Sequence, residues 1–251
     1  MVEKTKALEA YQEAGEDPKA LECIPMLKRS DIKREAAKII NEELTVDDSL
    51  FLYHDVCTNG IGYVDLMFKT DSIAPEQIPY LGLLKSVLGY VDTENYTYGE
   101  LFNEINANTG GINCGVEVFD RADSTEEFQA MFSVRGKALY TKMDFLFKMI
   151  GEILNSSKLE DTKRLYEIVA SVKSRAQVNL TGAGHSTAVL RAAAYSSPMA
   201  AFQDEMAGIG YYQFIEKLEK DFEQRKEETV EELCKLMKKI LRPENFMISY
   251  T

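Results

Sequence analysis

The chain has 251 residues, 45% hydrophobic and 28% charged, which gives it the apolar material for a substantial core and excludes disorder as its dominant state. With 41 acidic against 29 basic residues the net charge is −12, a field that repels nucleic acid and anionic membrane, so neither is expected as a partner.

In chain order, the first forty-odd residues read as a helical arm. Val2 to Ala14 is polar and helix-prone and is broken by Gly15-Glu16-Asp17-Pro18. A second piece runs from Lys19 toward Pro25. A third, Ser30 to Glu43, starts at an N-cap residue and repeats Ile32, Ala36, Ile39 and Ile40. Each apolar face is too narrow to build a core of its own.

From Leu50 the period changes to two. Leu50, Leu52, His54 and Val56 share one face of an expected strand, Thr58-Asn59-Gly60 marks a turn, and Val64, Leu66 and Phe68 alternate after it, so a hairpin or a closely connected pair is expected. Pro79 opens a helix whose stripe is Leu81, Leu84, Val87, Leu88 and Val91. Thr97 and Glu100 form a capping box for the next helix, closed by Gly110. Two strands follow, carried by Ile112, Cys114, Val116 and Val118 and by Phe128, Ala130, Phe132 and Val134. Helices are expected from Leu139 to Leu154, from Thr162 to about Val178, and in further segments to Leu241, before a closing strand at Phe246, Ile248 and Tyr250. Without regular βαβ alternation, this order predicts an α+β two-layer sandwich whose antiparallel-rich mixed sheet carries helices on one face.

Chemistry is sparse. Four scattered cysteines, Cys23, Cys57, Cys114 and Cys234, form no C-x-x-C pair, so reduced thiols and a cytoplasmic location are expected. No apolar run is long enough to cross a bilayer, and the opening Met-Val-Glu-Lys-Thr-Lys is no signal peptide. His54 and Cys57 lie on opposite faces of a regular strand, and His185 in Gly184-His185-Ser186 lacks the spacing of a nucleophile elbow. Gly208-Ile209-Gly210 lacks the third glycine of a dinucleotide loop and fits a helix junction. Asp92 with Glu94 could share a proton only in a desolvating pocket. Tyr90, Tyr96, Tyr98 and Phe102 suit core and rim packing, with a peptide groove as the alternative. The mixed-charge run Glu216 to Glu232 reads as an exposed helix face above Phe222, Val230 and Leu233.

Several stretches together carry a likeness: Leu44 to Phe68, Pro79-Tyr80-Leu81-Gly82-Leu83-Leu84 through Thr93, Tyr98-Gly99-Glu100-Leu101 through Ile112, Gly184-His185-Ser186, Ala188-Val189-Leu190-Arg191, and Gly208-Ile209-Gly210-Tyr211-Tyr212. They resemble the insulinase/pitrilysin family of zinc metallopeptidases, in its presequence-protease branch. The resemblance implies four homologous α+β modules in a long chain, closed around a chamber in which short unstructured peptides are cut. It further implies that residues 1–43 are the end of an interdomain helical linker and 44–251 the third, non-catalytic module. The N-terminal catalytic half and a fourth module of the same chain would be its partners, with zinc held in the first module.

The zinc motif H-x-x-E-H of the first module aligns here with Leu81, Leu84 and Lys85 on the Pro79–Val91 helix. Two leucines and a lysine cannot ligate zinc, so this segment alone is expected to hold no metal and to be catalytically silent, forming chamber wall opposite the zinc centre. Its acidic surface would then draw basic peptides. Two other expectations stand beside this one: a stand-alone structural or partner subunit, and a cysteine hydrolase using Cys57 or Cys114 with His54.

Overall fold

The computed structural model describes residues 2–251 except 16, 36, 37, 39, 48, 122 and 125. The chain divides into two compact units, Met1–Ile39 and Ile40–Thr251. The first holds helices α1 (Val2–Glu13) and α2 (Pro18–Glu22). The Asp17 carboxylate caps α2 by accepting the Lys19 N–H. No described residue of either helix is buried.

The third expected helix does not form. Arg29–Asp31 is a single 3-10 turn, and Glu42 and Glu43 open a strand; Ala36 and Ile39 lie outside the described residues. Ile32 and Ile40 are 59% and 55% exposed, so the repeat has no core to bury its stripe in. A short helix without such packing is marginal in water.

The second unit is built on a six-stranded sheet, in the order β1 (Glu42–Val46), β2 (Ser49–Tyr53), β6 (Phe246–Tyr250), β3 (Ile61–Lys69), β5 (Phe128–Leu139) and β4 (Ile112–Asp120). β1 and β2 form a hairpin turning at Asp47, whose φ is +47°. The expected β2–β3 hairpin is corrected: β6 lies between them, parallel to β2 and antiparallel to β3. Thr58-Asn59-Gly60 still turns the chain, with φ of +53° at Asn59 and +86° at Gly60, and leads directly into β3. The expected strand also stops short, at Tyr53, leaving His54, Val56 and Cys57 outside the ladder.

Alternation decides the layers. Val64, Leu66 and Phe68 of β3 and Ala130, Phe132 and Val134 of β5 enter one core shared with the helices. Asp65 and Arg135, opposite each other on the other face, form an ion pair at 2.7 Å. The helices over the core are α3 (Ile78–Val87), α4 (Tyr98–Asn108), α5 (Met143–Ser156), α6 (Thr162–Gly182), α7 (Gly184–Ala193), α8 (Pro198–Ala207), α9 (Ile209–Lys220) and α10 (Phe222–Ile240). This is the α+β sandwich, with an antiparallel-rich mixed sheet.

Two helix starts follow local rules. Thr97 Oγ1 accepts the Glu100 N–H while Glu100 returns to the Thr97 N–H at 3.0 Å, completing the capping box of α4. The hydrogen bonds from the Thr97 N–H and hydroxyl hold the Glu100 carboxyl below its ordinary pKa. Other boundaries shift. β5 runs on to Leu139, so α5 begins at Met143 rather than Leu139, and α3 ends at Val87 because Gly89 takes φ +85° just beyond it.

Candidate functional site

α3 is the element on which the site question turns. Leu81 is wholly buried and Leu84 is 1% exposed, alongside Leu83, Val87, Leu88 and Val91. Burying such a leucine contributes about 1.5–3 kcal/mol, so the i and i+3 positions act as core. Both side chains are hydrocarbon and offer no lone pair. Lys85, one residue on, is only partly buried, and its burial lowers the ammonium pKa. These three positions do not fit a zinc ion. Gly82 lets the helix approach its neighbours closely: a Cβ there would lie 2.6 Å from the Met206 carbonyl oxygen and 2.8 Å from the Tyr211 ring.

Beside α3 the sheet ends at β4. Between β4 and the α3–α4 helices runs a groove of about 560 Å³ whose lining includes Lys85, Tyr90, Phe102, Ile112, Val116 and Arg175. Two of the four singled-out aromatics therefore do line a groove, which periodicity alone had favoured as packing. Tyr98 is instead covered by Arg164, whose guanidinium carbon stands 3.8 Å from the ring centroid, while the Arg164 Nε donates to the Tyr90 carbonyl at 2.9 Å. Tyr96 packs against the core.

The remaining candidates separate. His54 uses both ring nitrogens, with Nδ1 2.8 Å from the Ile40 carbonyl oxygen and Nε2 3.1 Å from Ser249 Oγ, so neither is left to serve as base for a thiol. Burial pushes the Cys114 thiol up to about 12, the opposite of an activated nucleophile. Cys57 is exposed, and its thiol lies 3.8 Å from Asn59 Oδ1. His185 begins α7 just past the junction at Ala183. Asp92 and Glu94 do not meet: Asp92 Oδ1 accepts the Tyr98 N–H at 2.8 Å, and Glu94 is exposed. Glu223, Glu228, Glu231 and Glu232 form i,i+3 or i,i+4 ion pairs along α10, above buried Phe222 and Leu233. Among the described residues no three His, Cys, Asp or Glu side chains are grouped to hold a metal. No described helix is long and apolar enough to cross a membrane.

Gly208-Ile209-Gly210 carries a feature that glycine spacing alone did not suggest. The Asp204 carboxylate, 1% exposed, accepts the Ile209 and Gly210 N–H groups at 3.0 and 3.1 Å and the Arg191 guanidinium at 2.6 Å. An internal carboxylate thus occupies the start of α9, where a dinucleotide loop would hold phosphate. A Cβ on Gly210 would stand 2.9 Å from the same carboxylate, which explains why a glycine is needed there.

The chain has relatives of known name. It is 35% identical over 251 residues to Protein HypA of Clostridium perfringens, covering 100% of this chain and 26% of HypA. It is 27% identical over 247 residues to Presequence protease 1, chloroplastic/mitochondrial, of Arabidopsis thaliana, covering 98% of this chain and 23% of that one. With the mitochondrial presequence protease of Yarrowia lipolytica it shares 29% identity over 210 residues, 84% of this chain and 21% of the relative. The chain thus spans about a quarter of the length of these relatives. Its fold matches the crystal structure of a conserved protein from Enterococcus faecalis V583 at a TM-score of 0.59, with 13% identity, over 84% of this chain and 48% of that one. The family of regions associated with peptidases of family M16, subfamily C, matches residues 1–218, and the chain belongs to that peptidase-associated family.

Proposed function

We propose that this chain is the third, non-catalytic module of a longer zinc peptidase, preceded at residues 1–43 by the end of an interdomain linker. The module forms part of the wall of a closed chamber in which short unstructured peptides are cut, opposite the zinc centre. The N-terminal catalytic half and a fourth module of the same polypeptide complete that chamber. Zinc, and the water it activates, belong to the first module; this module supplies no ligand. A cytoplasmic location completes the proposal.

One observation carries it above the others. At the three positions where a catalytic module would place its motif, the chain has Leu81, Leu84 and Lys85, and the two leucines are sealed in the core. The share of each relative that the chain covers supports a module within a longer polypeptide. The test is the size of the native polypeptide in the source cell, by immunoblot against this segment. A band several times longer is expected. A band at this chain's own size would overturn the module assignment in favour of a stand-alone partner subunit.

A further inference from the structure

The two edges of the sheet are built differently. β1 is five residues long, exposed throughout, and opens with Glu42 and Glu43, features that discourage pairing with another chain. β4 is nine residues long, contains no proline, and pairs only with β5 among the described residues. On its helix side Ile112, Cys114 and Val116 are only half-buried although they touch the core. The strand therefore presents an unpaired row of backbone N–H and C=O groups above a partly covered apolar strip.

The groove along that edge is also cationic, in a chain whose net charge is −12. Lys85 and Arg175 line it, and neither takes part in an ion pair among the described residues. Glu117 is the carboxylate on the lining, and Arg135 holds it at 3.0 Å. Desolvation is the one cause that shifts Lys85, which marks an ammonium removed from water without a counter-ion. Arg175 is exposed and borders two adjoining hollows, so its guanidinium can reach along the groove.

We propose that this groove binds an extended peptide by adding it as a strand to β4, with a carboxylate of that peptide taken by Lys85 and Arg175. Main-chain hydrogen bonds along β4 supply affinity that does not depend on sequence, while Ile112, Cys114 and Val116 receive alternate side chains. The carboxylate returns to Lys85 part of the solvation it lost on folding. A separate peptide is the occupant rather than a second copy of this chain, because pairing β4 with its own copy would bring two such cationic grooves together with no carboxylate to neutralise them. The proposal goes beyond the chamber-wall role and does not depend on it. Binding is read on this chain directly, whereas the native polypeptide's size reads the other.

The test is fluorescence anisotropy of a labelled, end-blocked Thr/Val peptide with one central Glu. Its comparators are a Gln twin, a blocked-Gln peptide with a free C-terminal carboxylate, and a twin with a central Pro. The Glu peptide should bind about tenfold more tightly than its Gln twin, as befits a charge-assisted hydrogen bond. The Pro twin should lose binding, because proline cannot complete the ladder. Lys85→Met and Arg175→Met should each erase the preference for Glu. Lys85→Met keeps the length of the side chain and is checked by its melting midpoint; should it unfold, Arg175→Met at an exposed position carries the test. Recovery of the preference by the free C-terminal carboxylate would assign the site to peptide ends, and its absence to acidic side chains, both within the proposal. Equal binding of the Glu and Gln peptides, a preference that survives both variants, or no binding at all would overturn it. So would binding to this chain that disappears in the full-length polypeptide, since another segment would then cover the groove.

Discussion

Asp204 shows how much one residue can organise. Its carboxylate joins α8, the start of α9 and Arg191 of α7 through three contacts, at 1% exposure. Asp204→Asn keeps the shape but removes the charge that these donors face, and should lower stability by about 2 kcal/mol in denaturant titration. Arg191 is 37% exposed and can turn to water, which keeps the cost below that of a fully buried pair. Cys114 gives a second test at this scale. Its thiol ionises at an ordinary 9.0 when unfolded but only at about 12 in the fold. The stability it contributes is therefore complete below pH 9.0 and falls as pH rises toward 12, because the unfolded chain then loses a proton that the native state keeps. In Cys114→Val that part of the alkaline slope should vanish, as read by unfolding free energies on either side of pH 9.0.

Among elements, α3 and α4 give glycine substitutions of opposite sign. Gly82 on α3 faces the Met206 carbonyl and the Tyr211 ring too closely for a methyl group, so Gly82→Ala should destabilise by about 2 kcal/mol. Gly99 lies within α4 with nothing within 4 Å of a Cβ, and Gly99→Ala should stabilise by about 0.5–1 kcal/mol. Thermal melts of the two variants beside the parent check both signs, and a matching sign would refute the packing account. The capping box of α4 was legible because its partners lie three residues apart. The end of α3 was less so: the apolar stripe continues to Val91, but Gly89 turns the chain first.

For the whole molecule, β6 is the piece that joins the sheet. β2 pairs with β1 and β6, and β3 with β5 and β6, so β6 alone connects the β1–β2 hairpin to the other strands. Deleting residues 246–251 should release that hairpin while β4 and β5 stay paired. In hydrogen exchange, amides of β1 and β2 would lose protection and those of β5 would keep theirs; protection retained in β2 would contradict the topology.

The sequence by itself determined the α+β class, most element positions in the second unit, the core stripe of α3 and the loss of metal-ligating chemistry at Leu81, Leu84 and Lys85. These depend on period, caps and side-chain type, which are local. Only the tertiary structure decided that β6 would separate β2 from β3, that residues 42–46 would pair as a strand rather than end a helix, and that Asp204 would sit on the glycine pair. It also decided that Lys85 and Arg175 would line one groove beside an open edge. Each of these joins segments distant in the chain or replaces a local preference by a ladder or core contact, and the energy that selects them exists only once the partners have met.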